Sequence, residues 1–358
     1  MILTGLDIAC FRNIERLSLE PHPRLNLITG DNGSGKSTVL EAIQCLSTGH
    51  SFRTRKAREL IKNHEPCFTL NARFTDPDTA REHRTGHSRQ RDGSVELRLD
   101  FHEMGSMAGV TRMLPVKALT PDSHKLIQEG PDERRRFLDW GMFHMEPQFF
   151  DEWKQFRRSL SQRNQLLRDA AGIDEIRSWD VLFAEASESI DDMRRKYVAR
   201  LALALQRRLA DVEGRFHVKL GYRAGWNDEQ PLSELLVRHL DYHRRMKTTT
   251  DGPHRAEMTL QCDGVPCKQI LSRGQQKVLV YLLHLAQLDL LRENGSRQGV
   301  VLCDDLTSEL DRAHGQEIIR QLLQLQSQVF VSGVDLVELK LHDHKEFHME
   351  HGQVKNVV

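Results

Sequence analysis

The chain has 358 residues, a length that indicates two domains or one domain with a large insertion. Hydrophobic residues make up 39% of it and charged residues 28%, which excludes a disordered, collagen-like or low-complexity protein. The 51 Lys and Arg balance the 51 Asp and Glu, so any contact with nucleic acid must come from local basic patches rather than from overall charge.

No membrane span or secretion signal is visible in the sequence. The apolar run at residues 278–283 stops at His284, far short of the roughly 18 residues that a membrane-spanning helix needs. The first twelve residues include Asp7 and lack a basic start before an apolar core. We therefore expect a cytoplasmic protein that has no membrane partner.

Strands dominate the expected structure of the first third of the chain. Residues 6–10 alternate apolar and polar side chains, as in a half-buried strand, and residues 11–14 read F-R-N-I. A second strand is expected at Leu25–Thr29, followed by a glycine-rich loop and a helix whose apolar residues recur from 39 to 46. Residues 80–93 are rich in Arg, His, Gly and Ser, and we expect an exposed loop or hairpin connection there.

Long amphipathic stretches from residue 121 to about 247 predict a helical lobe. Strand patterns resume at residues 256–262, at Val300–Cys303 and at Gln328–Ser332, with a helix expected at residues 313–325 and a hairpin near His351. The sequence therefore predicts an α/β domain built from both termini, at residues 1–120 and 252–358. A mainly α-helical lobe is inserted at residues 121–251.

A phosphate-binding motif follows the second strand. Residues 30–37 match the pattern G-x-x-x-x-G-K-[ST] between a strand and a helix, the context that separates a P-loop from a chance match in a solvated Gly-Ser loop. Lys36 would reach the β and γ phosphates of ATP and Ser37 would bind Mg²⁺, while backbone N–H groups at the helix N-terminus surround the phosphates. The expected ATP-binding residues are Gly30, Asp31, Asn32, Gly33, Ser34, Gly35, Lys36, Ser37 and Thr38.

Two acids follow the apolar strand Val300–Cys303. A P-loop needs an acid from a neighbouring strand to hold its metal, and Asp304 is placed for that role beside Ser37. Asp305 comes next, where a carboxylate could polarise the attacking water, and we expect it to be catalytic together with Lys36. The alternative for Asp305 is an ordinary loop acid at a strand end.

A helix start at residues 271–277 reads L-S-R-G-Q-Q-K, which by itself indicates only a capped helix. Together with the P-loop and the strand acid, Ser272, Arg273, Gly274 and Gln275 resemble the signature of the ATP-binding-cassette superfamily. Ser308 and Asp311 resemble its D-loop. In such heads the signature of one protomer completes the nucleotide site of the other, so the resemblance implies an ATP-dependent homodimer.

Several further segments resemble the RecF family of bacterial recombination mediators. They are F-R-N-I at 11–14, the P-loop, S-F-R-T-R at 51–55, G-P-D-E-R-R-R-F-L-D at 130–139, Q-R-N at 162–164, P-H-R-A at 253–256 and L-S-R-G-Q at 271–275. The resemblance covers nearly the whole chain and implies an ABC/SMC-type ATPase head. It also implies ATP-driven dimerisation on double-stranded DNA at gaps or stalled forks, a slow ATPase, and help for the RecO and RecR proteins in loading RecA.

Basic clusters are the remaining signal for DNA binding. The cluster with the fewest neighbouring acids comprises Arg53, Arg55, Lys56 and Arg58, and we expect it to contact DNA phosphates. Other clusters, at residues 134–136, 157–158, 194–196 and 244–245, have acids beside several of their members. For any one cluster, a solvated helix face is the competing explanation.

Two alternatives stay open on sequence grounds. A transporter ATPase subunit would carry Glu after the metal acid and a switch His after the next strand, whereas this chain has Asp305 and Ser332, which also predicts slow hydrolysis. The second alternative is a structural, SMC-like ATPase that bridges DNA without a repair role. Only the family resemblance favours a repair ATPase over it. Gln44 and Gln128 are both possible Q-loop residues, and neither is favoured.

Overall fold

A computed structural model describes residues 1–210, 212, 217–295, 299–305, 312–325, 327–333 and 343–357. The chain divides into two compact units. The first combines Met1–His124 with Arg273–Val358, and the second is Lys125–Ser272. No helix within the described residues is long and apolar enough to cross a bilayer.

The strands are numbered in chain order. They are β1 (Ile2–Phe11), β2 (Ile14–Leu19), β3 (Leu25–Thr29), β4 (Cys67–Thr75), β5 (Glu82–Gln90), β6 (Val95–Leu99), β7 (His102–Glu103), β8 (Val116–Leu119), β9 (Lys219–Arg223), β10 (Glu257–Cys262), β11 (Val265–Pro266), β12 (Val300–Cys303), β13 (Gln328–Ser332), β14 (His344–Glu350) and β15 (Gln353–Val357).

The α-helices are numbered in the same way. They are α1 (Lys36–Thr48), α2 (Ala108–Met113), α3 (Lys125–Gln128), α4 (Pro131–Met145), α5 (Phe149–Arg168), α6 (Ile173–Arg177), α7 (Asp180–Ala210), α8 (Leu232–Arg238), α9 (Leu240–Met246), α10 (Cys267–Ile270), α11 (Arg273–Glu293) and α12 (Arg312–Leu323). Short 3₁₀ turns lie at Ala57–Leu60, Pro121–His124 and Pro253–Arg255.

Two six-stranded sheets form the first unit. One is antiparallel, in the order β2-β1-β4-β5-β6-β7, and the other has the order β15-β14-β3-β13-β12-β8 with only its β15 edge antiparallel. Every residue of β3, β12 and β13 is buried, as expected for central parallel strands with both faces covered. Helix α1 contacts strands of both sheets and contributes Val39, Leu40 and Ile43 to their shared core.

The second unit is mainly helical. Helix α7 packs along α5 and against β9 of the antiparallel sheet β11-β10-β9. Its interior holds buried charge: the Arg163 side chain is fully buried, and its Nε lies 2.7 Å from Asp180 Oδ1. The Arg163 guanidinium also donates to Thr249 Oγ1 over 2.8 Å. These contacts tie α5, α7 and the 247–254 loop together. Removing one partner of such a pair would leave a buried charge uncompensated.

The predicted α/β head built from both termini with an inserted helical lobe is confirmed. The unit boundaries lie at 124/125 and 272/273, whereas the sequence places them at 120/121 and 251/252. The difference has a simple physical cause. Strand β10 is hydrogen-bonded to β9 of the inserted region, so residues 252–272 belong to the second unit.

The loop predicted at residues 80–93 is wrong, because β5 occupies most of it. Its inward side chains are His83, Thr85 and His87, which are buried but polar, so the apolar alternation that marks a strand is missing. The His83 ring stacks on Phe74, and the His87 ring packs edge-on against Phe68. Burial lowers the pKa of His87 to about 4, so that this ring behaves as a neutral core side chain at pH 7.

Candidate nucleotide site

The glycine-rich loop lies between the end of β3 and the start of α1. Gly30 adopts φ of +130°, and a Cβ there would lie 2.2 Å from the backbone oxygen of Met349. Gly35, at the helix N-cap, has φ of +115°. Only glycine meets both demands, which explains why the loop can turn tightly beneath the hairpin formed by β14 and β15.

Lys36 folds back over this loop. Its Nζ donates to the carbonyl oxygens of Gly30 (2.6 Å) and Asp31 (2.8 Å), and only 8% of the residue is exposed. The ammonium group is therefore held at the loop by two carbonyl oxygens, which carry only partial negative charge. Phosphate oxygens, which carry more charge, are stronger partners for it.

Contacts from distant segments brace the loop. Asn13 Nδ2 donates to Gly33 O (3.2 Å), and Thr38 Oγ1 donates to Asn13 Oδ1 (2.9 Å). The N–H of Gly352 donates to Ser34 O over 2.8 Å. Asn13 belongs to the F-R-N-I segment, but its bridging role depends on the fold and is not visible in that sequence pattern.

Asp304 and Asp305 follow β12, and Ser332 ends the neighbouring parallel strand β13. The Ser332 hydroxyl donates to Asp304 Oδ1 (2.8 Å) and accepts the N–H of Asp305 (3.0 Å). Asp305 has φ of +53°, in the left-handed region. Thus the serine found where a transporter cassette carries its switch His contacts both acids from the carboxyl end of the adjacent strand.

A buried carboxylate that sequence reasoning missed lies on α1. Glu41 has no exposed side-chain surface and accepts two hydrogen bonds from Arg12, of 2.7 and 3.0 Å. The hydroxyl of Ser51 also donates to Glu41, and the Arg53 guanidinium lies 3.9 Å away. Glu41 therefore fastens residues 51–53 to the P-loop helix, and only the hydrophilic character of its position on an otherwise apolar helix face signals it in the sequence.

These elements surround a cavity of about 860 Å³ within the first unit, a size typical of small-molecule sites. Its lining comprises Arg12, Asn13, Asn32, Gly33, Gly35, Lys36, Ser37, Thr38, Arg53, Glu59, Ile61, Lys62, Asn63, His64, Asp305 and Ser332. Most of the expected loop residues and Asp305 are thus brought together. The oxygen donors of Ser37 and Asp304 are of the type that Mg²⁺ prefers.

The predicted signature and D-loop residues have different outcomes. Ser272 and Arg273 are exposed, Gly274 and Gln275 are half-buried, and Arg273 begins α11. Among the described residues that line the cavity, Arg273, Gly274 and Gln275 do not appear. Ser308 and Asp311 lie outside the described residues.

The basic segment at residues 53–58 is open to solvent. Arg53, Arg55, Lys56 and Arg58 are all exposed, and Lys56 forms a 3.4 Å ion pair with Glu59. By contrast, Arg134 pairs with Glu257 at 2.6 Å, and the buried Arg194 pairs with Asp139 at 2.8 Å. Structural ion pairs therefore occupy Arg134 and Arg194 of the competing clusters.

A strand, a glycine loop and a helix beside a mainly parallel sheet, with two acids at the carboxyl end of β12, define the ABC/SMC type of ATPase head. Solved structures agree at the level of fold. An Smc head bound to the C-terminal winged-helix domain of ScpA superposes with a TM-score of 0.62, at 17% identity over 100% of this chain and 97% of that chain.

More specific relationships extend over the whole chain. The family model of the RecF/RecN/SMC N-terminal domain matches residues 2–352. DNA replication and repair protein RecF of Shewanella baltica (strain OS155) is 38% identical over 361 residues, and that of Shewanella frigidimarina is 36% identical over 358 residues. Each alignment covers 99% of both chains.

Two solved structures of the recombination mediator protein RecF in the RecFOR pathway also match. RecF-ATPrS gives a TM-score of 0.88 at 26% identity and covers 98% of this chain and 97% of that chain. RecF-ATP gives 0.89 at 26% identity and covers 100% and 97%. The chain belongs to the RecF family.

Proposed function

We propose that the protein binds ATP with Mg²⁺ in the head cavity and uses the nucleotide to control DNA binding in replication and repair. The observation that carries this is the cavity itself, which gathers Lys36, Ser37 and Asp305 at the N-terminus of α1. The relatives named DNA replication and repair protein RecF, and the solved RecF-ATP structure, support both the nucleotide and the cellular role.

Each side chain has a distinct task in this proposal. Lys36 exchanges the carbonyls of Gly30 and Asp31 for phosphate oxygens, while the loop N–H groups surround the phosphates. Ser37 and Asp304 hold Mg²⁺, which when bound neutralises phosphate charge. Asp305 accepts the proton of the attacking water. Ser332 fixes the backbone from which Asp305 projects, so hydrolysis depends on this hydroxyl as well.

The exposed signature suits a site completed by a second copy. We propose that Ser272, Arg273, Gly274 and Gln275 of one protomer meet the nucleotide held by the other, with Ser308 and Asp311 nearby, so that ATP drives dimerisation. The dimer places two basic segments on double-stranded or gapped DNA. RecO and RecR are the proposed protein partners in loading RecA, and the proposed location is the cytoplasm.

Sedimentation of the full chain with a gapped duplex tests this proposal. With ATP and Mg²⁺ we expect a dimer bound to DNA, and with ADP or without nucleotide we expect a monomer with little bound DNA. An intact duplex and a single strand are the matched DNA controls. A chain that stays monomeric under every condition would contradict the proposed switch, since the composite site could not then form.

A further inference from the structure

A cluster of metal-ligand type lies in the second unit. It comprises His239, His243 and Asp251. His239 Nδ1 lies 3.0 Å from Asp251 Oδ2, and His243 Nε2 lies 2.9 Å from the same oxygen. The three potential ligand atoms are all within 4.8 Å of one another. Two imidazole nitrogens and one carboxylate oxygen therefore lie close enough together to bind one small cation.

The local fold explains this convergence. His239 directly precedes α9 and His243 lies one turn later, and residues four apart project from the same face of a helix. The loop after α9 returns Asp251 to that face, aided by left-handed φ at Lys247 (+54°) and Gly252 (+139°). Two separate segments thus supply the donors, as in many protein metal sites.

The two His-to-Asp spacings are somewhat shorter than the distances between ligand atoms around a zinc ion. Zinc binds imidazole nitrogen and carboxylate oxygen at about 2.0–2.2 Å in tetrahedral sites, which places neighbouring ligand atoms about 3.3–3.5 Å apart. The present separations of 2.9 and 3.0 Å are a few tenths of an ångström shorter. Small side-chain rotations would open the cluster to that size. Thr250 Oγ1, 3.0 Å from His243 Nε2, adds an oxygen beside the fourth position.

One side of the cluster is open to solvent and the other is buried. The His243 side chain is fully buried, whereas 39% of the His239 side chain is exposed. An ion could therefore enter from the His239 side and be held against a buried imidazole.

We propose that His239, His243 and Asp251 form a Zn²⁺ site, with its fourth position beside Thr250. Two imidazoles and a carboxylate form a donor set that suits zinc. The loop that carries Asp251 is already held on either side: Asn164 accepts from the N–H of Thr249 (2.8 Å), and Arg194 donates to Pro253 O (2.7 Å). Zinc would fix the segment between these contacts and stabilise the second unit.

Zinc titration of the untagged, chelator-treated full chain tests the proposal, with a chromophoric chelator as competitor. We expect one Zn²⁺ per chain in the wild type, and loss of this site in His239→Gln and in Asp251→Asn. Asp100→Asn is the matched control, because Asp100 pairs with a single imidazole, His83, at 2.7 Å. Co²⁺ in place of zinc should give visible absorption bands of a tetrahedral site in the wild type and in the control only.

Stability gives a second readout that requires no activity. Zinc that binds only the folded chain raises the melting temperature, so the wild type and Asp100→Asn should shift upward on zinc addition while the two site variants should not. Circular dichroism establishes that each variant is folded. A wild type that binds no zinc above the level of the site variants would overturn the proposal and leave the cluster as a network of hydrogen bonds.

Discussion

Lys36 is the residue on which the proposed nucleotide site depends most directly. Lys36→Ala should weaken ATP binding about 100-fold or more, because it removes charge-assisted contacts worth about 3 kcal/mol together. The measurement is the Kd for ATP by calorimetry or fluorescence. Since Gly30 O and Asp31 O also lose their donor, stability should fall by about 1 kcal/mol per hydrogen bond, seen as a lower melting temperature.

Lys62→Ala is the matched control for this prediction. Lys62 lines the same cavity, but its ammonium group pairs with Glu15 at 3.3 Å. The control variant should bind ATP within a few-fold of the wild type. Unaltered ATP affinity in Lys36→Ala would show that the glycine loop is not the phosphate site.

The two acids after β12 should differ in phenotype. Asp305→Asn should retain ATP binding and hydrolyse about 10²–10⁴ times more slowly, because it preserves shape and removes a base. Asp304→Asn should raise the Mg²⁺ concentration needed for half-maximal ATP binding, since a metal ligand loses its charge. Metal titrations and single-turnover hydrolysis distinguish the two variants. If both variants hydrolyse ATP at the wild-type rate, neither Asp304 nor Asp305 takes part in the chemistry.

Residue-scale prediction from the sequence was strongest where the chemistry is local. The glycine loop, Lys36 and the strand acids belong to short sequence motifs that can be recognised without knowledge of the rest of the fold. Asn13, Glu41 and Ser332 act through contacts with residues 20 to 29 positions away. Such contacts become visible only once the strands and α1 are assembled.

At the scale of elements, the exposed segment that follows α1 is the proposed DNA contact. Each phosphate neutralised contributes about 0.9 to the slope of log affinity against log salt, so a dimer that engages roughly six phosphates should have a slope near 5. Replacing Arg53, Arg55 and Arg58 by Ala should flatten the slope and weaken binding about equally across DNA sequences. Fluorescence anisotropy over a salt series measures both quantities.

The control for this variant is Arg81, Arg84 and Arg98 replaced by Ala, which removes the same charge from other exposed positions of the first unit. Because Arg53 also lines the nucleotide cavity and approaches Glu41, the Arg55→Ala, Arg58→Ala double variant isolates the DNA effect. ATP-driven dimerisation should survive in both the triple variant and the double variant. An unchanged salt slope would place the DNA surface elsewhere, with Arg157 and Arg158 as the next candidates.

Element prediction succeeded where burial is apolar and failed where it is polar. The strand at Leu25–Thr29 and the long helices of the second unit carry aliphatic side chains at regular spacing. Strand β5 instead buries His83, Thr85 and His87. The two imidazole rings pack against Phe74 and Phe68, and Thr85 Oγ1 donates to Arg98 O. No single-sequence pattern distinguishes those side chains from an exposed, polar loop.

At the scale of the whole molecule, the composite site predicts a separation between nucleotide binding and assembly. Ser272→Arg should bind ATP with wild-type affinity as a monomer but fail to dimerise, because its signature serves the partner's nucleotide. Sedimentation with ATP measures assembly, and a binding isotherm measures affinity. Ser233→Arg adds the same bulk and charge to an exposed helix start and should dimerise normally. If Ser272→Arg still forms dimers in the presence of ATP, the proposed composite site is contradicted.

The strand before the glycine loop has consequences for how the protein is made. Within the described residues, the strands that pair with β3 are β13 and β14, and the Asn26 side chain donates to the Val329 carbonyl, 303 residues away. The loop then receives its last contacts from Met349 and Gly352. A chain still attached to the ribosome therefore cannot complete its nucleotide site until residue 352 has emerged. Until then Leu25, Leu27 and Ile28 lack the neighbouring strands that bury them in the folded protein.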